Sequence, residues 1–227
     1  MHPSARRTGR PRSAAADRAI LAATRHALAE LGWAKLTMSD VATRAGVART
    51  TLYRRWPGKN ELVVDAVADL FDAQLDLPDR GSLPADLEGV VLRFAELLER
   101  PETRIGLLAV FAESTRDPVL RARIRAAIVT RQRELVVRGR ERAQLRGELP
   151  QDPPGAAGST RAARRVDLIF DIIAGSVVHR TLVSDQPVDA AWAREFADLL
   201  LGGLTASDGG AGRGPAPPPG QKPGGSV

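Results

Sequence analysis

The stretch that decides the fold is LTMSDVATRAGVARTTLYRRWPGKNEL, residues 36–62. Near its start Thr37 is followed three residues later by Asp40, a pair that can satisfy free amide groups at a helix N-terminus. Gly46 then falls where the chain must take a left-handed turn to leave that helix, a conformation that is cheap for glycine. The spacing predicts a short helix, a tight turn and a second short helix over about 48–56.

The second helix carries few apolar residues and many hydrogen-bond donors. Leu52 and Trp56 lie one turn apart and form its apolar side. The remaining positions carry donors: Arg49, Thr50, Thr51, Tyr53, Arg54 and Arg55. Such a helix suits an anionic partner, and two short helices at this spacing are typical of a helix-turn-helix, whose second helix lies in the major groove of DNA.

Several spaced segments of this stretch share one register with a known family signature. They are Leu36-Thr37-Met38, Val41-Ala42, Ala45-Gly46-Val47, Thr51-Leu52-Tyr53, Trp56-Pro57-Gly58-Lys59 and Glu61-Leu62. Together they resemble the N-terminal signature of the tetracycline-repressor (TetR) family of bacterial regulators, over roughly residues 17–77. The chain departs from the family at Ala48, where a capping serine or threonine is common, and at Trp56, where phenylalanine is usual.

The resemblance implies an all-α fold, with an N-terminal three-helix helix-turn-helix domain and a C-terminal helical bundle for ligand binding and dimerisation. With the helical periodicity of the chain, the resemblance implies the following organisation: a basic arm 1–13, the helix-turn-helix domain 14–58, a connecting helix 59–77, the effector and dimerisation domain 83–205, and a disordered Gly/Pro-rich tail 206–227.

We refer to the helix-turn-helix domain, residues 14–58, together with Lys59 as the reading head. Its residue types suggest separate roles in DNA binding. We expect Arg49, Thr50 and Arg54 to contact base edges, because arginine pairs bidentately with guanine and threonine offers its methyl group to thymine. Contacts to backbone phosphates are expected from five residues: Thr37, Thr51, Tyr53, Arg55 and Lys59. In the family, the residues that match Tyr53 and Lys59 contact backbone phosphates. An alternative for Tyr53 is that of a half-buried support for Trp56.

The N-terminal arm carries Arg10 and Arg12 within Thr8–Arg12, which resembles the Gly-Arg-Pro core of minor-groove hooks. The alternative is a solvated basic tail that only raises nonspecific affinity. Residues 1–60 hold 12 Lys or Arg and 3 Asp or Glu, a balance of +9; because the whole chain is +6, residues 61–227 sum to −3. A cationic module on a slightly acidic body favours a nucleic-acid reader with a separate effector half.

Composition excludes several classes of protein. The chain has no cysteine, which rules out disulfides and thiolate chemistry, and its aromatic content is only 4%. No apolar run is long enough to cross a bilayer, and no signal peptide is evident. We therefore expect a cytoplasmic protein, associated with the nucleoid when it is bound to DNA, with no cofactor and no metal.

The C-terminal half offers candidate pocket walls and polar groups. The apolar candidates are Phe94, Leu97, Leu108, Phe111, Phe170 and Ile173, each of which can equally be plain core. Glu113, Asp171 and His179 can orient a ligand or can be paired or exposed polar residues. The low aromatic content favours an aliphatic or flexible ligand. The arginine-rich helix near residues 121–133 is either a second nucleic-acid surface or a solvated helix face.

In the family that the chain resembles, the last two helices pair with their two-fold mates. The apolar stripes of these helices predict an interface that includes Val166, Ile169, Val177, Trp192, Phe196 and Leu200. Periodicity alone also allows these residues to be the core of a monomer.

The resemblance implies a dimeric repressor that a small molecule releases from a palindromic operator in double-stranded DNA. An architectural DNA-binding protein without an effector and a transcriptional activator of the same fold are the alternatives. An enzyme is disfavoured, because the chain has no phosphate-binding Gly-rich loop, no nucleophile elbow and no two-His zinc motif.

Overall fold

The computed structural model describes residues 10–209, apart from the side chains of 10–13, 157 and 204–209. This part of the chain contains helices and no strand, which confirms the predicted all-α fold. The helices are α1 (Arg10–Lys35), α2 (Met38–Arg44), α3 (Arg49–Tyr53), α4 (Lys59–Gln74), α5 (Leu83–Glu99), α6 (Pro101–Ser114), α7 (Pro118–Ile124), α8 (Thr130–Leu145), α9 (Ala156–Val178) and α10 (Ala190–Gly209). Among them, none is both long and apolar enough to cross a membrane.

The helix-turn-helix forms where the sequence predicts it. The Asp40 amide donates to Thr37 Oγ1 at 3.1 Å, and the Thr37 hydroxyl donates to the Asp40 carboxylate at 2.5 Å, so the predicted cap of α2 is confirmed. Gly46 has φ +64°, the left-handed conformation that the turn requires. The second helix is shorter than predicted and ends at Tyr53. Proline disfavours helical geometry in the residue before it, and Pro57 therefore helps to end this segment.

Several boundaries differ from the sequence expectation. Helix α1 begins at Arg10, inside the expected arm, with Pro11 in the first turn, where its missing N–H costs nothing. Gly32 bends the chain at φ 70° before the last turn of α1. Helix α10 continues to Gly209, past the expected start of the disordered tail, whose remaining residues lie outside the described part. Single π-helical turns, Arg125–Val129 and His179–Val183, join α7 to α8 and follow α9.

Helices α1, α4 and α6 pack together at the centre of the molecule. A Cβ at Gly106 of α6 would lie 3.1 Å from Val67 and 3.2 Å from Val63, so the absence of a side chain lets α6 approach α4 closely. The hydrophobic core is continuous from Leu52 in α3 to Leu200 in α10. The reading head therefore shares its core with the helices that follow it.

Candidate nucleic-acid interface and internal cavity

Helix α3 turns one face to the protein and another to solvent. Leu52 lies on the protein-facing side of α3 and is fully buried. The exposed face carries the three predicted base-contacting residues and the predicted phosphate-binding tyrosine: Arg49, Thr50, Tyr53 and Arg54. Tyr53 is 52% exposed, which argues against its alternative role as a half-buried support for Trp56. This face combines two guanidinium groups with hydroxyl groups, the chemistry of a major-groove reader.

Trp56 anchors the chain just after α3. Its side chain is buried, and the indole Nε1 donates to the Asp65 carboxylate of α4 at 2.8 Å. The same carboxylate accepts hydrogen bonds of 3.1 and 2.6 Å from Arg123 of α7. The phenylalanine that is usual in the family has no N–H, so this hydrogen bond is a consequence of the departure at Trp56.

Three predicted phosphate ligands already have partners in the protein. Arg55 forms an ion pair with Asp17 of α1. The Lys59 ammonium donates to the Trp33 carbonyl at 3.0 Å and lies 4.1 Å from the centre of the Trp33 ring. The Thr37 hydroxyl donates its hydrogen bond to the Asp40 carboxylate. These contacts orient the side chains and make Arg55 primarily a link between the recognition segment and α1.

The remaining predicted DNA ligands have less definite positions. Thr51 is partly buried on α3. Arg10 and Arg12 lie in the first turns of α1, so these two residues are helical and do not have the extended backbone of a minor-groove hook. Their side chains are outside the described part of the structure, as are residues 1–9.

An apolar cavity of about 360 Å³ lies between α4, α5, α6, α8, α9 and α10. Four of the predicted pocket residues line it: Phe94, Phe111, Phe170 and Ile173. Leu97 is fully buried but is not part of the lining, and Leu108 is 44% exposed on α6, so both of these predictions are wrong. Periodicity identified the apolar stripes of α5 and α6 but not which members of each stripe face the cavity.

The polar residues that the sequence offered as ligand contacts are not in this cavity. Glu113 and Asp171 are exposed. His179 is also exposed, and it lines a separate, more polar depression with Arg180 and Trp192.

The cavity instead has three polar residues in its lining that the sequence analysis missed: Asp86, Gln132 and Arg140. All three are buried. The signal for Gln132 was present in the sequence, because it interrupts the apolar stripe that runs from Ile128 to Leu135.

The two charged residues of the cavity wall are paired. Arg140 donates to Asp152 at 2.7 Å. Asp86 accepts from the Arg80 amide at 2.6 Å and from Arg146 at 3.1 Å. Burial alone would raise the pKa of Asp152, but hydrogen bonds from Gln144 and Arg140 and the charges of Arg140 and Arg165 outweigh it and lower that pKa below its ordinary value.

The predicted dimer residues mostly point inward. Val166, Ile169, Val177 and Leu200 are buried within the single chain, where a second copy cannot reach them, so their assignment to the interface is wrong. Trp192 and Phe196 are partly buried and stack on each other, with ring centroids 5.1 Å apart.

A different face of α9 and α10 is exposed and apolar. It includes Leu168, Ile172 and Gly175 of α9 and Leu199 of α10, and Leu199 is 78% exposed. A Cβ built at Gly175 meets nothing within 4 Å, and this exposed residue also borders the cavity and the depression beside His179. We refer to these four residues as the outer face.

Four arginines of α7 and α8 have partners within the chain. Arg121 donates to the Ser114 and Thr115 carbonyls, Arg123 to Asp65, and Arg131 and Arg133 form ion pairs with Asp72 and Asp167. These pairs give the four arginines roles within the chain, whereas Arg125 and Arg138 are exposed.

Comparison with known proteins agrees with this architecture. Residues 20–66 match the model of bacterial regulatory proteins of the tetR family, and residues 77–157 match a tetracyclin repressor-like C-terminal domain. The TetR family transcription regulator SCO0332 has a similar structure, with 30% sequence identity, a TM-score of 0.68, and coverage of 83% of this chain and 97% of that chain.

Two further relatives are more distant or match a shorter region. The HTH-type transcriptional regulator AqdR of Rhodococcus erythropolis is 37% identical over 87 residues, 38% of this chain and 41% of AqdR. The chain spans less than half the length of the curated relatives it matches. Thermus thermophilus FadR, a TetR family repressor solved with lauroyl-CoA, shares the fold at 21% identity and a TM-score of 0.58, over 90% of this chain and 100% of that chain. With the helix-turn-helix, the helical C-terminal half and these similarities, the chain belongs to the TetR family of bacterial transcriptional regulators.

Proposed function

We propose that this protein is a homodimeric repressor that binds a palindromic operator and leaves it when a small molecule fills the cavity. The observation that carries the proposal is the position of α4. Near its N-terminus, Asp65 holds Trp56 at the end of the recognition segment, and near its C-terminus, Phe71 lines the cavity. A ligand that changes the shape of the cavity therefore acts on the same helix that holds the reading surface.

The exposed face of α3 is the proposed contact with bases. Arg49 and Arg54 are exposed and carry guanidinium groups, which can pair bidentately with guanine, and Thr50 can contact a thymine methyl group. Tyr53, exposed beside them, is suited to a backbone phosphate, which fixes register and carries no sequence information. The +9 balance of residues 1–60 adds a salt-dependent attraction to any duplex.

The outer face is the proposed dimer interface. Leu168 and Ile172 expose apolar surface on α9 and Leu199 does so on α10, and Gly175 leaves room for close approach. Because a two-fold dimer buries the same patch on both copies, one apolar face supplies both halves of the interface. Two heads on one duplex then read two half-sites, which makes the operator palindromic.

Release requires that the ligand bind the DNA-incompetent arrangement of the dimer more tightly than the DNA-bound one. A coupling free energy of about 1 to 3 kcal/mol would weaken operator binding about 5- to 150-fold. The apolar lining of the cavity favours an aliphatic ligand. The lauroyl-CoA of Thermus thermophilus FadR makes an acyl chain a reasonable first class of compound to test.

Selection of bound sequences from a random duplex pool tests the DNA-binding part of the proposal. We expect a palindromic winner whose affinity falls steeply with salt concentration. Failure to enrich any sequence would favour an architectural DNA-binding protein. A transcription assay on a promoter that carries the winning site separates the remaining alternatives: transcript levels fall for a repressor and rise for an activator.

A further inference from the structure

One polar atom in the cavity wall has no hydrogen-bond partner. Gln132 on α8 is 8% exposed, and its Oε1 atom is buried without a partner among the residues that the structure describes. Buried side-chain oxygens are nearly always hydrogen-bonded, because an unpaired one costs about 1–3 kcal/mol. A buried acceptor that receives no donor from the described residues, in a wall that is mostly apolar, indicates that a bound molecule supplies the donor.

The rest of the wall does not favour a charged ligand. The Arg140 guanidinium is paired with Asp152, and the Asp86 carboxylate is paired with Arg146. A ligand carboxylate would have to enter an apolar space and compete with Asp152 for Arg140, at the cost of its own hydration.

The size of the cavity limits the ligand further. Its volume of about 360 Å³ is many times the roughly 30 Å³ that one water molecule takes in the liquid. The cavity therefore has room for a medium-length aliphatic chain with one small polar group.

We propose that the cavity binds a neutral, mainly aliphatic molecule of medium chain length, whose hydroxyl or amide N–H donates a hydrogen bond to Gln132 Oε1. This inference rests on the proposed function, since it names the ligand class of the same cavity, and it adds a residue that selects the ligand.

Calorimetric titration with three probes tests it on the full chain. Decanol carries the donor, methyl nonyl ether is its isomer without the donor, and decanoate is ionised at about pH 8. We expect the wild type to bind decanol about 3- to 10-fold more tightly than the ether, the worth of one neutral hydrogen bond, and decanoate more weakly than decanol.

Variants of Gln132 assign the preference to its side chain. In Gln132→Leu and in the unbranched Gln132→Met, the decanol-to-ether ratio should fall to about 1, because both replacements suit an apolar wall and remove the acceptor. Gln186→Leu, the same exchange at an exposed position after α9, should keep the wild-type ratio. A melting curve for each variant shows that the comparison is between folded proteins.

Three results would overturn the inference: no binding of any probe, equal binding of decanol and ether by the wild type, or a preference that survives in both Gln132 variants. The proposed function is judged separately, by whether ligands release the selected operator. If decanol binds with a Gln132-dependent preference but leaves the operator occupied, the inference stands and ligand-released repression fails. If some other ligand releases the operator without dependence on Gln132, ligand-released repression stands and the inference about Gln132 fails.

Discussion

The indole Nε1 of Trp56 lies 2.8 Å from Asp65 Oδ2, and this hydrogen bond ties the end of the recognition segment to the connecting helix α4. Arg123 binds the same carboxylate from α7, one residue before the cavity residue Ile124. The carboxylate thus joins three elements: the recognition segment, α4 and α7.

Trp56→Phe removes the N–H donor and keeps an aromatic ring in the core. We predict that it lowers the free energy of unfolding by about 0.5–1.5 kcal/mol, the net value of a hydrogen bond, and reduces the factor by which a saturating ligand weakens operator binding. Operator titrations with and without ligand measure this factor. Trp192→Phe, which changes a tryptophan far along the chain on α10, is the matched control. An unchanged factor in both Trp56→Phe and Arg123→Lys would rule out a role for Asp65 in ligand response.

Arg54→Ala and Tyr53→Phe should affect DNA binding in different ways. We predict that Arg54→Ala costs about 1–3 kcal/mol on the selected operator and relaxes the preference at one base pair. Tyr53→Phe should weaken binding to all sequences alike, because it removes a contact to phosphate. Binding to the operator and to single-base variants of it separates the two. Arg138→Ala, on the exposed side of α8, should change neither. If Arg54→Ala weakens all sequences equally, its assignment to a base edge is wrong.

Leu168→Arg places a charge in the middle of the outer face. The side chain is 56% exposed in the single chain, so the helical fold should persist, while burial of an unpaired charge between two copies should cost about 3–5 kcal/mol and dissociate the dimer. Sedimentation velocity measures the change in mass, and circular dichroism checks the fold. Leu145→Arg makes the same exchange at a residue that is 87% exposed on α8 and should leave the dimer intact. A Leu168→Arg protein that remains dimeric would place the interface elsewhere.

Asp152→Asn should change the charge preference of the cavity. Without the aspartate, the buried Arg140 guanidinium loses its anionic partner at the wall. We therefore predict that decanoate binds this variant about 10-fold more tightly than it binds the wild type, as expected for a hydrogen bond to a charged group. Calorimetry on both proteins gives the ratio, and Asp185→Asn, which alters an exposed ion pair with Arg104, serves as the control. Unchanged decanoate affinity would mean that Arg140 does not determine the charge of the ligand.

The Arg140–Asp152 pair also predicts a dependence of stability on pH. The pKa of Asp152 is lower in the folded protein than its ordinary value of 3.8, so the folded state binds this proton less readily than the unfolded state. The stabilisation from the Asp152 carboxylate is therefore complete at a pH above the ordinary pKa of 3.8, and it is lost as the pH falls through the lowered pKa of the folded protein. Thermal unfolding of the wild type and of Asp152→Asn should differ at neutral pH and converge in acid. A constant difference across this range would show that the carboxylate of Asp152 makes no such contribution.

Local sequence signals were sufficient for the reading head. The Thr37 cap, the left-handed Gly46 and the Leu52–Trp56 apolar pair all act within a few residues along the chain, and each is present in the structure. The exposed arginines of α3 follow from the same helical geometry, because a short helix with one apolar side must turn its other side to water.

Local sequence signals were not sufficient where an apolar stripe could pack either against its own chain or against a second copy. On α9, periodicity identified Val166, Ile169 and Val177 as one apolar face, but packing within the chain, rather than a second copy, covers that face. The ion pair of Arg55 with Asp17 and the unpartnered Gln132 likewise depend on residues or spaces that are distant in sequence. Amino-acid order thus determined which residues avoid water and how each helix begins and ends. Only tertiary packing decided what covers each apolar face and where a cavity remains, because burial depends on the shape of all neighbouring helices together.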